Sequence, residues 1–293
     1  MGRRTTTQHK IKARDSRTRT RRCSPYSQQH KIAPNSCFTA EALREIQPST
    51  QPVQTLASLQ TTYRAQCQAD EACLLDAVLK YNPRLQHKLK RFLFAPEYPR
   101  VWDTKPTTWL TNFDIESVLK QYEVAFPQFK LFGPTSIDYD TQMEDGQCVE
   151  TELCKLSLKN LKSLGKTKLG IVFNLDKHDE PGSHWTSMFL DLDNAFVYYY
   201  DSALNPVPPE VKRLEEEIVR QGAADLGIQF RRLTNRKTHQ KSNTECGMYA
   251  LYFIITLLTA TKRTLPQRLK LFSESDIPDR QMQKNRSVYF NAP

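Results

Sequence analysis

Gln240–Lys241–Ser242–Asn243–Thr244–Glu245–Cys246–Gly247–Met248–Tyr249 runs directly into a largely apolar stretch, Met248 to Ala260, closed by Lys262 and Arg263. That stretch is thirteen residues long. A membrane span needs about 18 or more apolar positions, so the spacing predicts a buried core helix whose first turn begins at Cys246–Gly247. Asn243 or Thr244 is placed to cap it. A cysteine in a first helical turn feels the positive end of the helix and its unpaired N–H groups, and both favour thiolate over thiol. A lone cysteine is more often a small core residue. What turns the reading toward a nucleophile is company: a histidine and a carboxylate upstream, and a carboxamide, Gln240, six positions before the cysteine.

Outward from that stretch, 293 residues suffice for one large or two ordinary domains with a real core. No segment reads as a transmembrane helix and the N-terminus has no apolar leader, so a chain free of membrane association is expected. Seven cysteines, an odd number without a leader, predict reduced thiols in a cytosol-like compartment. Cys67/Cys73 and Cys148/Cys154 each enclose five residues, too many for common zinc spacings, and no metal site is expected. Neither GxGxxG nor GxxxxGK[ST] occurs, so no phosphate-cradling loop and no cofactor are expected.

The net charge of +10 is concentrated: residues 1–33 hold ten Lys/Arg against Asp15, which accounts for +9 of it. Rich in Arg, Thr, Gln and Ser, residues 1–35 read as a disordered basic arm, with non-specific nucleic-acid binding through residues 1–33 as its functional reading and a solvated tail as the plain one. Residues 36–100 read as a helical N-terminal subdomain, with helices opening at Thr39, over Val53–Cys67, over Glu71–Tyr81 and, after an interruption at Pro83, over Leu85–Leu93. Residues 101–293 read as the core. Thr111–Asp114 opens a helix, Phe129–Phe132 and Ile137–Tyr139 are short strands around Gly133–Pro134, and Leu153–Leu164 is helical. Strands follow at Leu169–Asn174, His184–Leu192 and Phe196–Tyr200, then a helix over Glu210–Val219, a strand at Ile228–Leu233, the cysteine helix, and a final helix capped by Ser275 or Asp276. The order predicts a mixed α+β fold.

A hairpin turning at Asp193–Asn194 brings His184 and Asp201 to the same end of adjacent strands. A carboxylate there can fix the imidazole tautomer while the other ring nitrogen faces the Cys246 thiol. Gln240, or in competition Asn243, can donate an N–H to a developing oxyanion, beside a backbone N–H at the helix start.

His184–Trp185, Tyr200–Asp201–Ser202, Gln240 and Glu245–Cys246–Gly247–Met248–Tyr249 match one by one the order of the ubiquitin-like-protein-specific cysteine proteases, a family that includes the SUMO proteases and the adenovirus-type enzymes (adenain-like). With Thr111–Asn112–Phe113, His239–Gln240 and the end helix, the chain further resembles the viral branch that processes polyproteins in African swine fever virus and other large DNA viruses. Asp201 stands where the swine fever enzyme has Asn, and Asn243 where it has Gln. The resemblance covers residues 100–293 well, 36–100 loosely, and the arm not at all. It implies a papain-like, adenain-like core of central mixed sheet flanked by helices. It also implies a catalytic His184, Asp201 and Cys246, and Trp185 as a wall of a narrow channel that admits Gly-Gly before the scissile bond. The expected function is therefore a thiol endopeptidase cleaving viral structural precursors after Gly-Gly during virion maturation, acting in the virion and the cytoplasmic viral factory. A deconjugase for SUMO or another ubiquitin-like modifier is the alternative with the same chemistry; a basic nucleic-acid-binding virion protein is the alternative of another class.

Overall fold

A computed structural model describes residues 21–47, 55–259 and 262–292. Residues 1–20, most of the basic arm, lie outside the described residues. The rest of the segment read as arm is not disordered: Ser24 caps a short helix, α1 (Pro25–His30), and donates through its N–H and Oγ to the carbonyls of Leu93 and Phe92. The polar composition conceals a serine cap followed by a proline at the first helical position, where a missing N–H costs nothing.

Five helices follow: α2 (Ala40–Ile46), α3 (Leu56–Thr62), α4 (Arg64–Cys67), α5 (Glu71–Val78) and α6 (Pro83–Leu93). They enclose a core that includes Phe38, Ile46, Leu59, Leu75, Leu89 and Leu93. Pro83 starts α6 instead of interrupting it, with Asn82 Oδ1 accepting from Leu85 N–H.

The core opens with α7 (Asn112–Ala125), whose Thr111 and Asp114 form a reciprocal capping box. Then come β1 (Phe129–Ser136), α8 (Thr151–Cys154), α9 (Leu158–Ser163), β2 (Lys168–Asn174), β3 (Trp185–Asp191), β4 (Phe196–Tyr200), α10 (Pro209–Gln221), β5 (Arg231–Thr234), α11 (Cys246–Leu258), α12 (Leu265–Glu274) and α13 (Asp279–Tyr289). The sheet runs β1-β2-β3-β4-β5; β1/β2 and β4/β5 are parallel and the two inner pairs antiparallel. This is the mixed α+β sheet that the order of elements predicts.

Three differences have local causes. β1 passes through Gly133–Pro134 as one strand, with a register shift between Phe132 and Thr135; Gly133 takes φ +77°, and on this edge strand the proline's missing donor costs no ladder bond. Leu153–Leu164 splits into α8 and α9. α12, absent from the sequence reading, starts where Gln267 Oε1 accepts from Thr264 N–H at 2.9 Å; Thr-x-x-Gln was the signal that could have found it.

Side-chain parity sorts the strands between two cores. Phe129, Val172, Phe189, Phe196, Tyr198 and Tyr200 face α7, α11 and α13. Phe132, Ile171, Phe173, Met188, Leu190, Val197 and Tyr199 face the α9 and α10 side. A sheet buried on both faces explains why its inner strands read as nearly continuous apolar runs. All of α11 except Tyr252 is buried, as a core helix requires.

The expectation of reduced thiols is overturned. Cys23–Cys37, Cys67–Cys73 and Cys148–Cys154 are disulfides, and Cys246 is the free cysteine. The odd count arises because six cysteines pair within short loops and one is left over; spacings that fail as zinc motifs suit a local staple. The first and last described segments also meet at one side chain. Asn291 Oδ1 accepts from Arg22 N–H at 2.7 Å, and its Nδ2 donates to the carbonyls of Arg22 and Ala95. No helix among the described residues is long and apolar enough to cross a membrane.

Candidate active site

His184 precedes β3 and Asp201 follows β4. Ser187 faces Tyr200 in the ladder, so Asp201 falls opposite Thr186, two positions from His184. His184 Nε2 lies 2.6 Å from Asp201 Oδ1, and Cys246 is near enough to the imidazole to favour its charged form. Burial pulls the His184 pKa down; the bonds to Asp201 and Cys246 and the charge of Asp201 outweigh it and raise the value to about 9.

Asp201 is buried and carries four donors. His184 Nε2 and Ala203 N–H reach Oδ1, while Asn205 N–H (2.9 Å) and Nδ2 (2.8 Å) reach Oδ2. Burial raises its pKa, but the His184 partner and these donors hold it below the usual carboxylate range. Asn235 fixes the backbone of Asp201, accepting from its N–H at 3.1 Å and donating to its carbonyl at 2.7 Å. Neither asparagine was singled out from sequence; Asn205 had a signal, an Asn-Pro turn four residues past the aspartate.

Gln240 belongs to the same assembly through Ser202, the neighbour of Asp201. Ser202 Oγ donates to Gln240 Oε1 at 2.8 Å, and the backbone N–H groups of His239 and Gln240 both donate to the Ser202 carbonyl. Gln240 Nε2 donates to the Ser242 carbonyl at 2.5 Å, which fixes the amide orientation and occupies one of its two N–H bonds. The second N–H is the one with capacity for another acceptor. Asn243 stands exposed on the loop, apart from this arrangement.

Asn243 and Thr244 do not cap α11. The N-cap is Glu245, whose side chain makes no capping bond because it is drawn away to Arg286 of α13. That leaves the first-turn N–H groups, beside Cys246, without a side-chain acceptor. Asp279 at the start of α13 holds the preceding loop, accepting from the N–H groups of Lys241 and Ser242 and from Tyr249 Oη. These contacts join residues 30 to 41 positions apart, and no local pattern announces them.

Trp185 is buried in the core, its indole N–H donated to the Leu110 carbonyl at 2.9 Å. The ring therefore fixes the Trp109–Leu110 segment, and Trp109, 37% exposed, is the tryptophan that reaches the surface. Leu110 in turn explains Gly247: a Cβ there would stand 3.0 Å from Leu110 Cβ. Cys246 is only 1% exposed, so whatever reaches its sulfur passes a narrow opening. No group of three or more potential metal ligands stands together among the described residues.

Residues 166–290 match the family described as Ulp1 protease family, C-terminal catalytic domain. A mimivirus protein named as a thiol protease, R355, is 28% identical over 66% of this chain and 61% of its own length. The African swine fever virus cysteine protease S273R is 28% identical over 89% of this chain and 93% of its own. The crystal structure of the swine fever virus protease pS273R superposes with a TM-score of 0.66 at 21% identity, covering 93% of this chain and 96% of that one. The chain spans less than two thirds of the mimivirus protein and nearly all of the swine fever enzyme. Residues 166–290, which hold the free cysteine at a helix start and the carboxylate-bound histidine, are thus similar to the catalytic domain of the Ulp1 protease family of cysteine peptidases.

Proposed function

We propose that this chain is a thiol endopeptidase that cleaves viral structural precursors after Gly-Gly during particle maturation, in the virion and the cytoplasmic viral factory. The observation that carries the reading is a single imidazole, bonded to the buried Asp201, whose charged form the nearby free Cys246 also favours. In this reading the Cys246 sulfur attacks the scissile carbonyl carbon while the oxyanion is met by the remaining Gln240 N–H and the backbone at the start of α11. The His184 imidazolium then gives its proton to the leaving amine. Water, activated by the now neutral imidazole, hydrolyses the thioester and releases the new carboxyl terminus. Asp201 keeps the ring oriented and stabilises its charged form.

Selection for Gly-Gly follows from sterics. With Cys246 buried, Leu110 against Gly247 and Trp109 at the surface beside it, the channel to the sulfur has little width. Glycine lacks a Cβ and lies extended where any other residue collides. Trp185 acts here chiefly by fixing the Trp109–Leu110 wall. Replacing either glycine of a peptide substrate by alanine is expected to lower kcat/KM by about two orders of magnitude, roughly 2.7 kcal/mol of transition-state binding. Comparable rates for Ala and Gly at both positions would remove the channel from the account. The relatives named SUMO-1 cysteine protease favour a second reading, a deconjugase for a ubiquitin-like modifier. Incubation with Gly-Gly-containing virion precursors and with modifier conjugates, followed by mass spectrometry of the new termini, separates the two.

The pH profile follows from the same pair. The His184 pKa is raised above its ordinary value of about 6.5, so the imidazolium form is complete below that value and is lost as pH climbs through about 9. We expect kcat/KM to hold across neutrality and to fall on an alkaline limb near pH 9. Asp201→Asn removes the charge that holds the proton, and sets an amide N–H against either the His184 and Ala203 donors or the two of Asn205. It should move the alkaline limb down by about one unit and lower kcat/KM roughly a hundredfold. A limb that stays in place in that variant would show that Asp201 does not set the imidazole charge.

A further inference from the structure

The sequence assigns nearly all excess positive charge to the arm, but the fold concentrates a second share on one helix. Along Pro83–Leu93 α6 carries Arg84, Lys88, Lys90 and Arg91, with His87 between them, and no acid. Leu89 and Leu93 turn into the subdomain core, which leaves Arg84, His87, Lys88 and Arg91 exposed on the opposite face at i, i+3, i+4 and i+7. That row spans about 10 Å at a rise of 1.5 Å per residue. It forms one wall of a groove of about 1070 Å³ between α6 and α7, with Lys120 on the other wall and Arg21 at its edge. None of the site residues described above lines it.

The groove's cations are incompletely neutralised. Lys88 is paired with Glu45, Lys90 with Asp76, Lys120 with Glu123, and Arg21 with Asp70 and with Glu97, the one acid in the lining. Arg84, His87 and Arg91 have no ion-pair partner among the described residues. Exposed pairs such as Lys88–Glu45 contribute about 0–1 kcal/mol, so a phosphate can replace the carboxylate at little cost.

We propose that this groove binds single-stranded nucleic acid. Two observations select that polyanion over an acidic peptide. The cations are spaced along one line, as a backbone of repeating phosphates requires. Tyr81, 91% exposed, projects just before α6 with Lys80 Nζ 5.5 Å from its ring centroid, and an exposed ring beside a cationic row is a stacking platform for a base. A peptide carboxylate calls for neither the platform nor the regular spacing.

The test is fluorescence anisotropy of a labelled 20-mer oligothymidylate with the full chain over a sodium chloride series. Arg84→Gln with Arg91→Gln should weaken binding at least about tenfold at low salt and reduce the slope of log K against log salt by about 1.4, since each lost single-strand phosphate contact removes roughly 0.7. Tyr81→Ala should weaken binding about fivefold or more at every salt concentration while leaving the slope unchanged, because stacking releases no counterions. Lys155→Gln with Lys159→Gln, exposed positions just after α8 and on α9 outside the groove, removes the same charge and should change neither. The proposal is overturned if the α6 double variant matches that control, which would leave the arm as the whole binding site. It is overturned equally if polyglutamate displaces the oligonucleotide at matched charge, which would make the groove a site for acidic protein. Because binding is read without cleavage, the outcome is independent of the peptidase reading.

Discussion

Replacing Cys246 by alanine, or His184 by alanine, is expected to reduce peptide cleavage to background, a loss of roughly five to six orders of magnitude in kcat, without unfolding the chain. The expectation rests on division of labour: the thiol forms the bond to carbon, and no neighbouring group can take its place. Fold retention follows because Cys246→Ala removes one sulfur from a well-packed helix start, a small change of volume. The disulfides sharpen the chemical test. Six cysteines are paired, so the unreduced protein should take up a single equivalent of iodoacetamide, on Cys246. Cys246→Ala should take up none, and His184→Ala should react slowly because the base that would take the thiol proton is gone. A bulkier maleimide should lag behind iodoacetamide on the native protein, since the sulfur is covered. Stoichiometric labelling of another cysteine would sink the assignment of Cys246 as the nucleophile.

What could be read before the fold was known follows the range of the interactions. The α11 pattern, the Thr111 cap and the hairpin between His184 and Asp201 are local, and periodicity or turn chemistry exposes them. The hairpin alone places the imidazole beside the carboxylate, because register is counted from the turn. The supports of the site are another matter. Asn235 reaches Asp201 across 34 positions, Ser202 reaches Gln240 across 38, and Arg286 reaches Glu245 across 41. Nothing in a sequence window ties such partners together. The errors have the same origin: α1 looked disordered because its stability comes from Cys37 and from the Leu93 and Phe92 carbonyls, and Asn243 looked like a cap because the pull of Arg286 on Glu245 was invisible. Trp185 illustrates the converse. Its place after the histidine suggested a wall of a narrow channel, while its ring is buried and its indole N–H is given to the Leu110 carbonyl.

The second large effect is expected at Arg286, far from the reacting atoms. Its guanidinium stacks 4.4 Å from the Trp102 ring centroid and bonds Glu245 through Nε (3.1 Å) and Nη2 (3.0 Å), the Thr108 carbonyl through Nη1 (2.9 Å), and the Thr244 carbonyl through Nη2 (3.3 Å). Glu245 is fully buried immediately before the nucleophile. Arg286→Met keeps much of the aliphatic bulk but strands the carboxylate and two carbonyls, a defect of about 3–5 kcal/mol when one partner of a buried pair is removed. In a chain of this size that corresponds to a fall in Tm on the order of 10 °C. Glu245→Gln combined with Arg286→Met should recover part of it, because a neutral amide is far cheaper to bury than a carboxylate. Arg286→Lys should not restore the parent, since one ammonium cannot meet three separate acceptors and a ring face. The pH dependence has a definite sign. Burial already raises the Glu245 pKa against the lowering pull of Arg286, and removing the arginine raises it further. A carboxyl whose folded value exceeds its unfolded value of about 4.3 costs nothing below that value and destabilises progressively as pH rises through the folded one. The Arg286→Met defect should therefore be small near pH 5 and largest near pH 8, and thermal melts of parent, single and double variants at the two pH values measure it. A Tm difference that does not change with pH would mean the loss comes from packing on Trp102 and not from the stranded charge beside Cys246.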